Sequence, residues 1–332
     1  MSQLDLFVTL WPSLEHFPQF ASDHRLAGIR LNSAMIHAIE LDKELPLAAA
    51  IHDPVPVWFD IKGRQLRVTE VIHNPDHLEV ILNHPIEVNL PQPVLFKAGE
   101  DHALLTSITD GGYHLVFAPG AEYGPQFNVN AGESLHIRHA SFRAWGEQFV
   151  LEEKAKIERV KQAGISKWFL SYVQCQRDVD EFRELIGHQA ELFLKIEDLK
   201  GLRYVATEFK KESSVSLVAA RGDLYVEVNR PHQIVQALRL IAQRDPEACV
   251  GSRILLSIIT KPVPSCADWC ELAWLHDLGY RRMLLCDDLC LKADWLSTAI
   301  NAFEEFHAMC NPPKISIVPK RSGLALVKKL FH

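Results

Sequence analysis

Short apolar runs recur along the chain and alternate with longer stretches of helical periodicity. This is the pattern of buried strands joined by helices. Residues 6–10, 28–31 and 57–60 predict the first three strands, and residues 167–171, 191–196, 215–219, 254–259 and 282–286 predict five more. Helices are predicted over 149–163, 179–186, 234–243 and 293–309, the first two closed by Gly164 and Gly187. About eight strands alternating with helices is what a closed (β/α)8 TIM barrel requires, an α/β fold.

One segment breaks the rhythm. Between residues 68 and 130, Asn-Pro, Gly-Gly and Pro-Gly turns separate short β-rich runs, such as 78–82 and 113–117. They predict a compact all-β insertion. The expected organisation is therefore a barrel built from 1–67 and 131–332, interrupted by a small β domain at 68–130. Phe127-Asn128-Val129-Asn130 reads as the return strand of that insertion.

Composition narrows the class. A chain of 332 residues, 48% hydrophobic and 23% charged, is ample for one barrel with a small inserted domain. A net charge of −7 gives no indication of a nucleic-acid groove. No apolar run approaches the roughly 20 residues of a membrane helix. Met1-Ser2-Gln3-Leu4-Asp5 lacks the basic and apolar regions of a secretory leader. Seven cysteines leave at least one unpaired, which favours a reducing, cytoplasmic setting over a disulfide framework. Cys266 and Cys270, like Cys286 and Cys290, are four apart, and only a helix there would put each pair on one face. Their spacing is not the usual one for zinc, so buried free thiols are expected.

Chemistry concentrates at two strand ends. Leu194-Lys195-Ile196-Glu197-Asp198 and Ala220-Arg221-Gly222-Asp223-Leu224 set charged groups where apolar runs stop. In a barrel of parallel strands, that rim holds the active site. Glu197 and Asp223 are hard oxygen donors suited to Mg²⁺ or Mn²⁺, and Lys195 places a cation beside them. Arg30 also ends a strand-like run, within reach of a carboxylate or phosphate. A plainer role for Asp223 is an ion pair with Arg221.

These runs resemble the pyruvate kinase family, and the resemblance is colinear. Thr9-Leu10-Trp11-Pro12-Ser13 is similar to that family's first strand end, with Trp11 where a glycine is usual. Ile29-Arg30-Leu31-Asn32 resembles its Arg-Leu-Asn motif, and Phe59-Asp60-Ile61-Lys62-Gly63-Arg64-Gln65-Leu66-Arg67 its Asp-Thr-Lys-Gly-Pro-Glu-Ile-Arg motif. Phe169-Leu170-Ser171-Tyr172 is similar to Phe-Ala-Ser-Phe. The Lys195 and Asp223 runs match its lysine and metal-ligand runs, and Lys261-Pro262-Val263-Pro264-Ser265 its Lys-Pro-Arg-Pro-Thr. The resemblance implies a barrel with an inserted β domain; the family's usual C-terminal regulatory domain is not expected here, since only a short tail follows Met309. It implies catalytic roles for Lys195, Arg30 and Thr260. Substrate contacts fall to Arg30, Arg67, Gly222 and Asp223, and divalent-metal ligation to Glu197 and Asp223. It further implies a homo-oligomer.

The departures from that pattern lie on one side of the site. Asn32 and Asp60 match two ligands of the family's K⁺, but Ala34 stands where a serine belongs. Arg64, in place of the motif's proline, is expected to supply the missing positive charge. Ala34-Met35-Ile36 replaces Ser-His-Gly, and Gln174 replaces an arginine. The enolate and metal half is thus kept, while the nucleotide half is eroded. Phosphoryl transfer between phosphoenolpyruvate and a nucleotide or other acceptor is the expected activity. A Mg²⁺-dependent aldolase or lyase acting on a 2-oxo acid, or a catalytically inactive metabolite-binding homologue, are the alternatives.

Overall fold

In the computed structural model, which describes residues 4–51, 54–74, 76–96, 99, 101–119 and 129–311, eight parallel strands close into a barrel. They are Asp5–Thr9, Leu26–Asn32, Val57–Ile61, Lys167–Leu170, Glu191–Ile196, Val215–Ala220, Cys249–Gly251 and Arg282–Leu284. Each pairs with its neighbours in chain order, and the first closes on the eighth through Asp5↔Arg282 and Phe7↔Leu284.

Period-two alternation explains how apolar strands carry a polar site. One face of each strand packs outward against helices, as with Leu192, Leu194 and Ile196. The other face fills the barrel with Phe7, Trp58, Phe169, Phe193, Val218, Cys249 and Leu284. Phe169 and Phe193 stack at 4.8 Å between centroids, and Phe7 meets Phe193 edge-on at 5.4 Å. Gly28 makes room for this plug, since a Cβ there would lie 2.8 Å from both Phe7 and Trp58. Two residues further along five of these strands, the same inward direction is taken by Thr9, Arg30, Asp60, Ser171 and Lys195. A polar layer thus sits on an aromatic floor at the strands' carboxyl ends.

The seventh strand differs from expectation. It is Cys249–Gly251, whereas 254–259 was expected. Ser252, Arg253 and Leu255 adopt positive φ (72°, 62° and 55°), which ends the extended chain. Leu256–Ile259 then forms a 3₁₀ turn. Ile254, Leu255 and Ile258 are buried against the outer core instead of in the sheet. An apolar run alone does not separate those two fates.

Between the third and fourth barrel strands lies a six-stranded antiparallel sheet. Its order is Leu135–His136, Gln92–Phe96, Asp101–Thr109, His114–Pro119, His77–Leu82, Val68–His73. Val80, Val94, Phe96, Leu105, Leu115 and Phe117 form its separate core. Of the expected return strand, Phe127 and Asn128 lie outside the described residues, and Val129 and Asn130 are not extended pairs. The return is made by Leu135–His136 against Gln92–Phe96, and by Arg143–Ala144 against Ile86–Glu87.

The helices Leu151–Gln162, Gln176–Ile186, Ile234–Arg244 and Ala293–Cys310 stand where expected. Leu199–Thr207 and Cys266–Asp277 were not anticipated. Their starts are nonetheless encoded. Asp198 accepts the Gly201 N–H at 2.7 Å, and Ser265 with Asp268 forms a capping box. The cysteines are free, but Cys266 and Cys270 are exposed rather than buried. Cys290 is the buried one of its pair and accepts the Thr9 N–H. No helix among the described residues is long and apolar enough to cross a membrane.

Candidate active site

A cavity of about 190 Å³ opens at the carboxyl ends of the barrel strands. Arg30, Asn32, Lys62, Arg67, Lys195, Glu197, Asp223, Ser252 and Asp287 line it. The residues come from the second, third, fifth, sixth, seventh and eighth strand ends, so only barrel closure brings them together.

Asp60 is the electrostatic hub beneath it. Its Oδ2 lies 2.8 Å from Arg30 Nε, 3.0 Å from Lys62 Nζ and 3.3 Å from Lys195 Nζ. Its Oδ1 accepts the Ser171 hydroxyl at 3.0 Å. Burial pushes the Asp60 pKa upward, but Lys195, Lys62 and Arg30 outweigh it and hold the carboxyl well below the usual range. Lys62 feels the converse. Burial and the neighbouring cations push it down to about 7 against the pull of Asp60. Lys195 is likewise desolvated, yet Asp60 and Glu197 together hold its pKa above the ordinary value, so it stays charged.

Glu197 is fully buried. Its Oε2 accepts the Tyr172 N–H at 2.7 Å, and Lys195 Nζ lies 2.9 Å from its Oε1. That contact is an ion pair without hydrogen-bond alignment, because Oε1 has no hydrogen-bond partner. Burial raises the Glu197 pKa, with Lys195 opposing and the charge on Asp223 adding to the rise. Tyr172 itself holds a left-handed backbone, φ 55°, unusual for a bulky residue and frequent at functional sites.

Asp223 sits in the first turn of Arg221–Glu227, with His136 Nε2 3.5 Å from its Oδ1. Its anticipated partner Arg221 pairs with Glu271 instead. His136 is fully buried and was not anticipated, because it belongs to the insertion's return strand and no local pattern marks it. Its Nδ1 lies 2.6 Å from Glu227 Oε1 and 3.2 Å from the Tyr172 hydroxyl. Burial would lower its pKa, but Glu227 and Asp223 raise it.

Among the described residues, no group of three or more His, Cys, Asp or Glu is arranged to hold a metal ion. Asp60 and Asp287 are engaged by Arg30 and its neighbours, which leaves Glu197 and Asp223 as the hard donors, Glu197 with an unpartnered buried oxygen. That set fits a divalent ion that completes its shell from substrate and water.

Other expected residues fall elsewhere. Thr260 is exposed at the end of the 3₁₀ turn and its hydroxyl donates to the Ser257 carbonyl, so it does not reach the cavity. Ser252, directly after the seventh strand, lines the cavity in its stead. The shift follows from the displaced seventh strand. Gly222 lies outside the lining and packs close to Ser252, whose Oγ would be 3.3 Å from an added Cβ. Arg64 turns away. It donates to the Gly146 carbonyl and approaches Asp178 at 3.6 Å, so it supplies no charge at Asp60. Lys62 does so. Arg67 reaches the cavity but is braced by the Gly132 carbonyl and Gln65.

Asn32 and Asp60 are both already satisfied by protein groups. Asn32 accepts the Ala34 N–H and donates to Asp287 Oδ1 at 2.8 Å. Asp287, also unanticipated, places its Oδ2 3.4 Å from Arg30 Nη1. Arg30 is thereby bracketed by two carboxylates.

Comparison with known proteins agrees with this architecture. No family model matches the chain. A pyruvate kinase of Encephalitozoon cuniculi is 28% identical over 229 residues, 64% of this chain and 49% of that protein. A pyruvate kinase of Agrobacterium vitis is 30% identical over 128 residues, 37% of this chain and 26% of that protein. One from Thermoplasma acidophilum is 23% identical over 268 residues, 74% and 46%. The chain thus spans half or less of the length of these relatives. The crystal structure of pyruvate kinase from Pyrobaculum aerophilum superposes with a TM-score of 0.70 at 16% identity, covering 98% of this chain and 78% of that one.

Proposed function

This chain is a divergent member of the pyruvate kinase family, and from that premise we propose that it is a pyruvate kinase-like phosphotransferase working on the phosphoenolpyruvate–pyruvate pair through an enolate. The observation that supports the proposal is the Lys195–Glu197 pair, 2.9 Å apart and lining one cavity together with Asp223. A divalent ion on Glu197 and Asp223, Mg²⁺ or Mn²⁺, would supply Lewis-acid stabilisation of charge on the substrate oxygens. Lys195 stabilises the charge that grows on the enolate oxygen, aimed by Asp60 and Ser171. Arg30 and Arg67 hold the substrate's anionic groups. The aromatic floor excludes water from below, which strengthens each of these interactions. A nucleotide is the proposed acceptor, reached from the open side of the cavity.

A second reading, metal-dependent aldolase or lyase chemistry on a 2-oxo acid, is favoured by one observation. Asp287 already offers Arg30 a carboxylate, which disfavours a phosphate there. Two assays separate the readings. Pyruvate formation from phosphoenolpyruvate with Mg²⁺ and ADP is expected under the first. Exchange of the methyl protons of pyruvate with solvent, in Mg²⁺ without nucleotide, is expected under both. Exchange no faster than in buffer would overturn the enolate proposal.

A further inference from the structure

The wall behind Glu197 and Asp223 separates their cavity from a second and larger one, of about 380 Å³. That second cavity lies between residues 135–144, returning from the insertion, and the segments after the fourth, fifth and sixth barrel strands. Its volume is within the range of small-molecule sites. We infer that it is a ligand site for a small organic anion with an apolar body, and that its occupancy is felt by Glu197 and Asp223.

The charge argument comes from what is left uncompensated. Arg138 and Lys200 stand exposed at the rim without a hydrogen bond or close ion pair to another described residue, and Lys200 acts on Asp198 only through its field. The acids beside them are engaged. Glu227 is held by His136, and Asp198 by the Gly201 N–H and the Gln174 side chain. The helix Leu199–Thr207 also begins at this rim, but its start is already capped by the Asp198 carboxylate, which accepts the Gly201 N–H. An anionic head therefore finds two cations at the rim, Arg138 and Lys200. Leu66, Leu135, Ile137 and Phe142 give the same cavity an apolar wall for the body of the ligand.

The coupling argument comes from the shared wall. Tyr172 and His136 both face the second cavity. The Tyr172 N–H donates to Glu197, while its hydroxyl meets His136, whose other nitrogen faces Asp223 with no hydrogen-bond partner. Glu197 and Asp223 thus both lean on one pair of residues, Glu197 on the Tyr172 backbone N–H and Asp223 on the His136 ring, and the Tyr172 hydroxyl joins the two. The Tyr172 backbone, at φ 55°, is a conformation a bulky residue keeps where its surroundings impose it. A ligand pressing on the pair changes the preferred placement of both carboxylates, and linkage makes the effect reciprocal. This second half rests on the proposed role of Glu197 and Asp223 as metal ligands; the site itself does not.

The test uses the full chain and two probes with the same ring, phenyl phosphate and benzoate, with inorganic phosphate for the head alone. Calorimetry without metal should show one saturable site for a ring-bearing probe, at least tenfold tighter than for inorganic phosphate. The double substitution Arg138→Gln with Lys200→Gln should weaken it at least tenfold, while Lys195→Met leaves it unchanged. Mn²⁺ affinity should shift at least threefold in saturating probe, and Tyr172→Phe should remove that shift. Absence of saturable binding, or binding lost in Lys195→Met and kept in the double variant, would overturn the site. An Mn²⁺ affinity indifferent to the probe would overturn the coupling. If Mn²⁺ fails to bind at all, the metal-site reading falls, while binding that depends on Arg138 and Lys200 still upholds the second site.

Discussion

Asp287→Asn should raise the affinity for phosphoenolpyruvate more than that for pyruvate. Arg30 meets Asp60 through Nε at 2.8 Å and Asp287 through Nη1 at 3.4 Å. Burial pushes the Asp287 pKa up, but the Arg30 charge and the Asn32 hydrogen bond outweigh it, so the carboxyl stays ionised. A phosphate bound at Nη1 would approach that carboxylate to about 5 Å. At an effective dielectric of about 20, each pair of like unit charges at that separation repels by about 3 kcal/mol. The Asp287 side chain is 32% exposed, so solvent reduces this to about 1–2 kcal/mol per charge. Asparagine keeps an acceptor for Asn32 and removes the repulsion. Phosphoenolpyruvate, with its extra negative charges, should therefore bind at least tenfold tighter to the variant, and pyruvate much less so. The assay is equilibrium binding of each ligand at fixed Mn²⁺ and about 0.1 M salt. Unchanged or weaker phosphoenolpyruvate binding would show that Asp287 does not compete for the Arg30 anion position, and the second functional reading would lose its support.

Lys195→Met should leave Mn²⁺ binding intact and slow pyruvate proton exchange by ~10²- to 10³-fold, the scale of one lost preorganised donor; wild-type exchange rates in the variant would make the lysine structural. Glu197→Gln should abolish Mn²⁺ binding measured by calorimetry with oxalate present, since one of two protein carboxylates is gone, and an unaltered affinity would sink the assignment. Rates in K⁺ and in a tetraalkylammonium salt should differ little, because Lys62, Lys195 and Arg30 already surround Asp60; a strong K⁺ requirement would refute this. Asp198, capping Leu199–Thr207, is pushed up to about 6 by burial. An acid whose folded pKa exceeds its unfolded value favours folding when protonated, so its contribution is largest in acid and is lost as pH rises from about 4 through 6. Asp198→Asn removes that titration and should gain on wild type across this window, by on the order of 3 kcal/mol at most. Denaturant midpoints at pH 4.5 and 7 test it, and a difference independent of pH would contradict it.

Lys195 and Glu197 were legible because charge at the end of an apolar run is costly unless a site compensates it, and period two fixes both side chains relative to Phe193. The seventh strand was not, because Cys249–Gly251 is too short to form a run, while the longer run after it packs against helices. That one misplacement carried Thr260 into the expected site and left Ser252 out. His136 and Asp287 were missed for a different reason. His136 lies in no patterned segment, whereas Asp287 directly follows the expected strand 282–286 and carries the same strand-end signal as Lys195; each gains its meaning from a partner far along the chain, Asp223 for one and Arg30 for the other. The consequence is chemical. Without Asp287, the cations Arg30, Lys62, Arg67 and Lys195 would outnumber the carboxylates Asp60, Glu197 and Asp223, leaving an excess positive charge for a polyanion. With it, the formal charges stand four against four when Lys62 is protonated, and burial pushes Lys62 down to about 7, so the metal-free cavity has no excess positive charge and the anion that binds there must bring its own counter-charge or carry little. The divalent ion proposed for Glu197 and Asp223 would tip that balance, so substrate and metal should bind together rather than in sequence.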